Sequence, residues 1–520
     1  MKKVLLSLVA LLMGTSLIVA QGNTNDVNSL GVDNLATVLQ VGLENNSDID
    51  QDGAMDVLGG VANWAGVFQL GEFNKAVIDQ RGDRNLAFSV QLGEGNDSYQ
   101  SQGVGWSEDN FQYTLQKGDF NISYQLQRWD NNTGIVHQFG NSNYALQDQR
   151  TGVNGATGNY GFILQDGNWN DAFQYQFGEE NTAYAYQYGK GNYSMQDQLG
   201  NDNYSVTEQH GKENYSEAYQ VGDGNYQNTE QHGNGNYALT DQLGDENDSY
   251  TDQRGRENDS YTYQDGDENF SKTKQRGHDN GSLTYQDGNN NDAFTDQKGN
   301  GNMSGTIQYG YENYSKTKQR GHANNSATLQ IGEWNDSYTE QHGNGNMSGT
   351  VQLGFANYSD TYQYGKENMS ATLQVGMSND SYTHQDGKQN MSGTAQGGYA
   401  NYSDTYQYGN GNMSGTLQIG SLNDSYTEQH GNGNMSLTSE FGAWNESDTF
   451  QNGTGNMSGT LQLGWSNTAI TTQKGSSNLS LTGQFGDDHF SNVYQNGNGN
   501  MSFVGQFNGG GSIPTMPTTF

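Results

Sequence analysis

Residues 412–433 read NMSGTLQIGSL followed by NDSYTEQHGNG, two eleven-residue units that start at Asn412 and Asn423 and share the frame Asn-x-Ser/Ala-x-Thr-x-Gln-x-Gly-x-x. The frame extends outward from there. From Gln165 to Gln506 every eleventh residue is Gln, broken only at Glu440. Gly stands two residues after each of these positions except at Asn508, and Asn five residues after except at His489 and Gly511. A fixed short period marks a solenoid, in which each repeat buries its inner face only by stacking on its neighbours. Before Gln165 the unit recurs from Asn23 onward, with extra residues after Gln51, Gln102 and Gln149. Each insertion falls between the Gln of one unit and the Asn of the next. Insertions collect in loops, so the Asn-to-Gln segment is predicted as strand and x-Gly-x-x as turn, with Gly supplying permissive backbone.

Side chains alternate faces along a strand, which places Asn, Ser/Ala, Thr and Gln on one side at near-constant identity. A face with one packing solution is the buried one, so the core is expected to be polar and thin. Stacked amides satisfy one another in ladders while small Ser, Ala and Thr let two sheets approach. The ladder is carried by Gln165, Gln176, Gln187, Gln319, Gln330, Gln341, Gln418 and Gln429, with Asn170, Asn335, Asn346, Asn423 and Asn434; the turns are placed at Gly167, Gly332, Gly343, Gly420 and Gly431. An unpaired buried amide costs about 1–3 kcal/mol, which penalises a slipped register.

The outward residues decide how units stack. Read every 22 residues, the position after Thr gives Asp252, Lys274, Asp296, Lys318 and Glu340, alternating in sign. Two residues earlier the series is Tyr250, Lys272, Phe294, Lys316 and Tyr338, alternating aromatic and cation. Opposite charges and cation–π partners favour cross-strand neighbours. Along the eleven-residue step the pattern disappears. Copies 22 apart are therefore neighbours, and one coil is strand-turn-strand-turn. The fold class is all-β, a two-sheet β-solenoid of about 21 coils, roughly 100 Å long at about 4.8 Å per coil. From Asn302 onward one half-coil is apolar outside (Met347, Val351, Leu353) and the next is acidic and tyrosine-rich (Asp336, Tyr338, Glu340, His342), within a 44-residue super-repeat.

Composition agrees with a stack rather than a globule. The net charge is −36, mean hydropathy is −0.93, and the chain has 73 glycines, no cysteine and two prolines, Pro514 and Pro517. Strong acidity argues against a nucleic-acid partner, since little could neutralise phosphates. The lack of cysteine removes disulfides and thiolate metal sites. Residues 1–20 read as a secretory signal, with Lys2 and Lys3 before the apolar stretch 4–13 and Ala20 as the cleavage residue. No later segment is apolar enough to span a bilayer. The expected organisation is signal peptide 1–20, less regular repeats 21–164, the regular solenoid 165–508, and a Gly/Pro tail 509–520.

Site-like features dissolve into the repeat. His210 and His232, beside Glu208 and Glu230, stack 22 apart and read as turn-edge residues rather than metal ligands. The acidic turn Asp265-Gly266-Asp267-Glu268 lacks the ordered spacing of a calcium loop. The Asn-x-Ser/Thr triplets are by-products of the ladder. No Ser/His/Asp set or isolated carboxylate pair departs from the frame, so no enzyme, metal or cofactor is expected.

The pattern Gln-x-Gly-x-x-Asn-x-Ala/Ser-x-x-x-Gln, seen in Gln418-Gly420-Asn423-Ser425-Gln429 and in Gln165-Gly167-Asn170-Ala172-Gln176, resembles the curlin repeat of curli major fibre subunits, the secreted functional amyloid of bacterial biofilms. The resemblance implies a chain that passes through a dedicated outer-membrane pore and polymerises outside the cell from a nucleator subunit, with a cell-surface fibre for matrix, adhesion and aggregation as the product. From the residues, an open solenoid end is an unpaired strand edge that templates another chain. The alternatives are a monomeric surface- or ice-binding solenoid, which needs outward Thr arrays, and a β-helix enzyme, which needs a loop cluster of convergent acids.

Overall fold

A computed structural model describes residues 21–52, 61–103, 107–152 and 155–507. The predicted signal 1–20, the tail 509–520 and parts of the three insertions lie outside the described residues. Those described form forty-three strands and no helix. They fall into two compact units, one ending at Thr229 and one starting at Glu230, each built the same way.

Within each unit a strand pairs in parallel with the next strand but one, so successive strands belong to opposite sheets. In the first unit Tyr160–Asn168 lies on Thr182–Lys190, with Gln165 opposite Gln187 and Gly167 opposite Gly189. The strand between them, Asp171–Phe177, lies on Tyr193–Leu199 in the other sheet, with Gln176 opposite Gln198. In the second unit Asn325–Glu333 lies on Met347–Phe355 and Asp336–Asn344 on Tyr358–Lys366. The coil is 22 residues, as the charge alternation predicts. Lys274 faces Asp252 on one side and Asp296 on the other. Insertions are stepped over without loss of register: Gln51 meets Gln80, Gln91 meets Gln116 and Gln138 meets Gln165. A slip of one residue would turn every inward amide to solvent.

Burial follows the two-residue period. In Asp336–Asn344 the inward residues Ser337, Thr339 and Gln341 are buried, while Asp336, Tyr338, Glu340 and His342 are half-exposed. The core is not polar throughout. In the first unit Ile49, Val67 and Ile78 pack with Ala65, Ala76 and Ala87, and Val136 and Ile163 with Ala145, Ala172 and Ala185. The branched side chains take the Thr place of the frame, and Ala65, Ala76, Ala87, Ala145 and Ala172 take its Ser/Ala place.

The turn differs from its prediction. Most strands of the second unit run past Gln and Gly: Asp336–Asn344 begins after Asn335 and includes Gln341, Gly343 and Asn344. Gly343 stays in the ladder opposite Gly365 at φ 118°. A Cβ there would lie 1.8 Å from the Gly365 carbonyl oxygen, so glycine serves a close backbone approach as well as an unusual dihedral. Gly167, Gly332, Gly420 and Gly431 meet the same obstacle, the glycine carbonyl one coil on, at 1.8, 1.9, 1.8 and 2.0 Å. The reversal itself is carried by the residue just before each Asn, in the left-handed region whether it is Trp334 (φ 60°), Glu367 (φ 56°) or Gly345 (φ 67°).

Candidate assembly site: the amide ladders and their terminal rungs

The inward glutamines of the frame share two bonds, to the next rung of the ladder and to a carbonyl of the facing strand, and some add a third to the carbonyl of the following Asn. Gln330 Nε2 donates to Gln352 Oε1 at 2.8 Å, to the Tyr314 carbonyl of the facing strand at 2.8 Å and to the Asn335 carbonyl at 2.9 Å. Gln319 donates to Gln341, and Gln341 to Gln363, at 2.9 and 2.8 Å. Gln165, Gln176 and Gln187 donate to Gln187, Gln198 and Gln209 at 2.9, 2.9 and 3.0 Å. Gln418 reaches Glu440 and Gln429 reaches Gln451, both at 2.8 Å. All of these glutamines are buried. The amide therefore joins coils along the stack and ties the two sheets together at the corner.

Asn works at the same corner in the opposite sense. Asn335 Nδ2 donates back to Asn313 Oδ1 at 3.0 Å and to the Gly354 carbonyl at 3.1 Å, while its own backbone N–H also donates to Asn313 Oδ1. Asn170, Asn346, Asn423 and Asn434 repeat the pattern onto Asn143, Asn324, Asn401 and Asn412 at 2.9–3.2 Å. Gln donors thus point toward higher residue numbers and Asn donors toward lower ones. The direction is imposed by the backbone. Gln Nε2 must face carbonyl oxygens of the facing strand and the next corner, and Asn Oδ1 must face the N–H of the next Asn. Aligned amides polarise one another, and two antiparallel ladders offset each other's dipoles.

A further Gln ladder is absent from the frame. In the first unit Gln100, Gln125, Gln147, Gln174 and Gln196 take the Thr place in one sheet and donate one to the next at 2.8–2.9 Å. Room comes from the facing strands, where a Cβ on Gly134 would lie 2.9 Å from Gln147 Oε1 and one on Gly161 3.0 Å from Gln174 Oε1. The signal was present as Gln two residues before Gln, opposite Gly.

Glu440 interrupts the second unit's ladder. It is wholly buried and accepts from Gln418 through Oε2, but its Oε1 has no partner, nor has Oε1 of Gln462 one coil on. Burial pushes its carboxyl well above the usual range. The bond from Gln418 opposes that push, and Asp424, Glu446 and Asp448 add to it.

Outward, the charge series is adjacent in register but seldom joined. Among the described residues only Lys318 and Glu340 of the five close to 4.0 Å. Asp252 turns instead to Arg254 at 2.9 Å. Lys272 sits 5.5 Å over the Tyr250 ring, and Lys316 and Lys318 sit 5.8 and 5.3 Å over Tyr338. Phe294 packs on Phe270 and Tyr314 along the diagonal rather than on its lysine neighbours. On the same sheet, burial and nearby carboxylates push Asp336, Asp380 and Asp424 each up to about 6. Glu340 goes the other way. Burial raises it, but hydrogen bonds from Tyr338 and His342 outweigh that and lower it. His210 bonds Glu208 at 2.6 Å, and among the described residues no three of His, Asp or Glu converge on a common point as metal ligands.

The terminal rungs show the consequence of ladder direction. In the first coil Asn23 Oδ1 accepts from the Asn45 N–H while Asn23 Nδ2 has no partner, and Gln40, donating to Gln69, presents the first acceptor of its ladder. Ser29, in a Gln place, keeps the direction by donating to Gln51 Oε1 at 3.1 Å. In the last described coil Gln495, in the ladder of Gln40, accepts from Gln473 and bonds the Leu479 carbonyl. Gln506, in the ladder of Ser29, accepts from Gln484 and bonds the Phe490 carbonyl, and Asn500 donates to Asn478. Gln donors and an Asn acceptor are what that rung offers onward. The two rungs are chemically complementary.

Residues 464–497, within the second unit, match the curlin associated repeat. None of the curated proteins matches the chain. The repeat match gives the chain curlin-like character, on a parallel two-sheet β-solenoid whose buried amides run from coil to coil.

Proposed function

We propose that this protein is a secreted structural subunit that adds end to end into extracellular, curli-like amyloid fibres, resembling a major fibre subunit. The observation that carries this reading is the opposed ladder polarity: Gln495 and Gln506 donors and the Asn500 acceptor on the last rung, against the Gln40 and Ser29 acceptors and the unpartnered Asn23 Nδ2 on the first. A second chain docked there repeats the internal coil–coil contact, and an unpaired strand edge templates such pairing. A nucleator subunit and an outer-membrane pore are the partners this reading requires, and the cell surface is its place. Among the described residues the Thr of the frame is buried, whereas an ice-binding solenoid would present it outward.

Two variants of the full chain test the reading. Val504→Arg with Gln506→Arg places charge in the last rung and should stop elongation followed by thioflavin fluorescence, with fibre diffraction checking the cross-β spacing. Truncation before Asn478 exposes an equally built rung and should still elongate. Normal growth of the arginine variant, or none from the truncation, overturns the mechanism.

A further inference from the structure

The two outer faces of the second unit differ more than their shared repeat requires. One sheet, from Met303–Tyr311 to Met501–Phe507, has ten strands, and none of its outward residues between the corners carries a charge. A column of methionines runs along it, with Met303, Met347, Met369, Met391, Met413, Met435 and Met457 each 39–58% exposed. Leu373, Val375 and Ile419 are exposed on the same face. The column beside the methionines is small: Gly305, Gly349 and Gly393 would meet nothing within 4 Å with a Cβ added. Toward residue 507 Leu437, Leu481 and Phe503 enter that column beside Gly459, and Gly483 and Gly505 open the next one; together they form a trough of about 730 Å³ also lined by Phe485 and Phe507. The other sheet carries Asp336, Asp360, Asp380, Asp404, Asp424 and Asp448.

We propose that this apolar face is the docking surface for a second copy of the chain, the two sheets packing face to face with the methionine ridge of each copy in the glycine furrow of the other. Three observations select a copy of the same chain as occupant. Ridge and furrow are neighbouring columns on one face, so a two-fold axis matches each to the other, as an isologous contact requires. The chain carries −36 charges, and this is the face on which two copies meet without repulsion. Ten strands about 4.8 Å apart, with outward positions spanning about 20 Å, give on the order of 900 Å² per partner, above the roughly 800 Å² of a stable interface. It also exceeds the few hundred Å² at which an exposed apolar patch is unexceptional. The contact is independent of end-to-end growth.

Mass tests it in either state of assembly. Mass per length of fibres by scanning transmission electron microscopy, or sedimentation equilibrium if the chain stays unpolymerised, should give twice the value of a single chain. Leu373→Glu with Ile419→Glu should halve it. Gly349→Leu with Gly393→Leu should halve it too, by filling the furrow. Those leucines are tolerated by the fold, since Leu437 and Leu481 occupy the same column. Asn452→Glu with Asn496→Glu on the opposite sheet should leave the doubled mass unchanged. A single-chain mass for the unaltered protein overturns the pairing, as does a doubled mass that survives both substitutions of the apolar face. Binding to dodecane-coated beads or phosphatidylcholine vesicles at single-chain mass also overturns it and assigns the face to an apolar surface.

Discussion

Replacing Glu440 by Gln isolates one ladder rung and gives its contribution a sign that depends on pH. The ionised carboxylate leaves two acceptors, its own Oε1 and that of Gln462, without donors. Gln supplies the missing N–H, worth about 1 kcal/mol for the bond and about 1–3 kcal/mol for the acceptor it rescues. A protonated Glu440 supplies an O–H in the same place, so it mimics Gln at the expense of holding a proton. Its folded-state value lies above the unfolded one. The penalty is therefore absent below the ordinary glutamate value and grows by about 1.4 kcal/mol per pH unit above it, levelling once pH passes the folded-state value. Glu440→Gln should thus stabilise this stretch little at pH 5 and more at pH 8. Stability in a solenoid is local, so the readout is hydrogen exchange by mass spectrometry over residues 412–462, corrected for intrinsic rates and referenced to residues 314–363. The variant should show higher protection over 412–462 at pH 8 and near-equal protection at pH 5. Equal protection of the two proteins at pH 8 refutes the reasoning.

Three other outcomes follow from named contacts. Ser381→Ala and Ser403→Ala remove buried hydroxyls that have no partner at a place where Ala293 and Ala469 already fit; each should raise stability by about 1 kcal/mol, seen as a higher denaturation midpoint. Gly332→Ala or Gly343→Ala drives a Cβ to within 1.9 or 1.8 Å of the next glycine carbonyl at φ near 120°, costing about 3 kcal/mol or more and abolishing exchange protection of the adjoining corners. Asp336, Asp380 and Asp424, each pushed up to about 6, oppose folding when ionised. On their account stability is greatest below about pH 4, falls as pH rises to about 6 and is flat above. Melting followed by circular dichroism should therefore occur at higher temperature at pH 5 than at pH 7, and changing all three to Asn should shrink the difference.

Much of the fold was legible because a solenoid writes its geometry as period. Eleven residues between glutamines set the half-coil, and the sign change from Asp252 to Lys274 to Asp296 set the 22-residue step. The structure puts those residues side by side. The strand limits were less legible. Gly343 looks like a turn residue in one dimension, yet it lies within a strand because its neighbour is another glycine one coil away. The residue that reverses the chain has no constant identity, Trp334 in one corner and Glu367 in another, because the corner constrains its backbone and leaves its side chain in solvent. The ladder through Gln147 escaped the frame because its partner signal, Gly134 and Gly161, lies on the opposite strand.

Sequence alone determined the all-β solenoid class, the coil length, the inward identity of Asn, Ser, Thr and Gln, and the segregation of an apolar from an acidic outer face. Periodicity settles these because it states which residues are neighbours. Tertiary structure decided which way each amide donates, why the ladders oppose one another, and which adjacent charges touch. Those depend on competition. A Gln N–H is claimed by facing carbonyls as well as by the next Gln, and Asp252 prefers Arg254 in its own strand to Lys274 in the next, choices set by distances between groups that no spacing along the chain encodes.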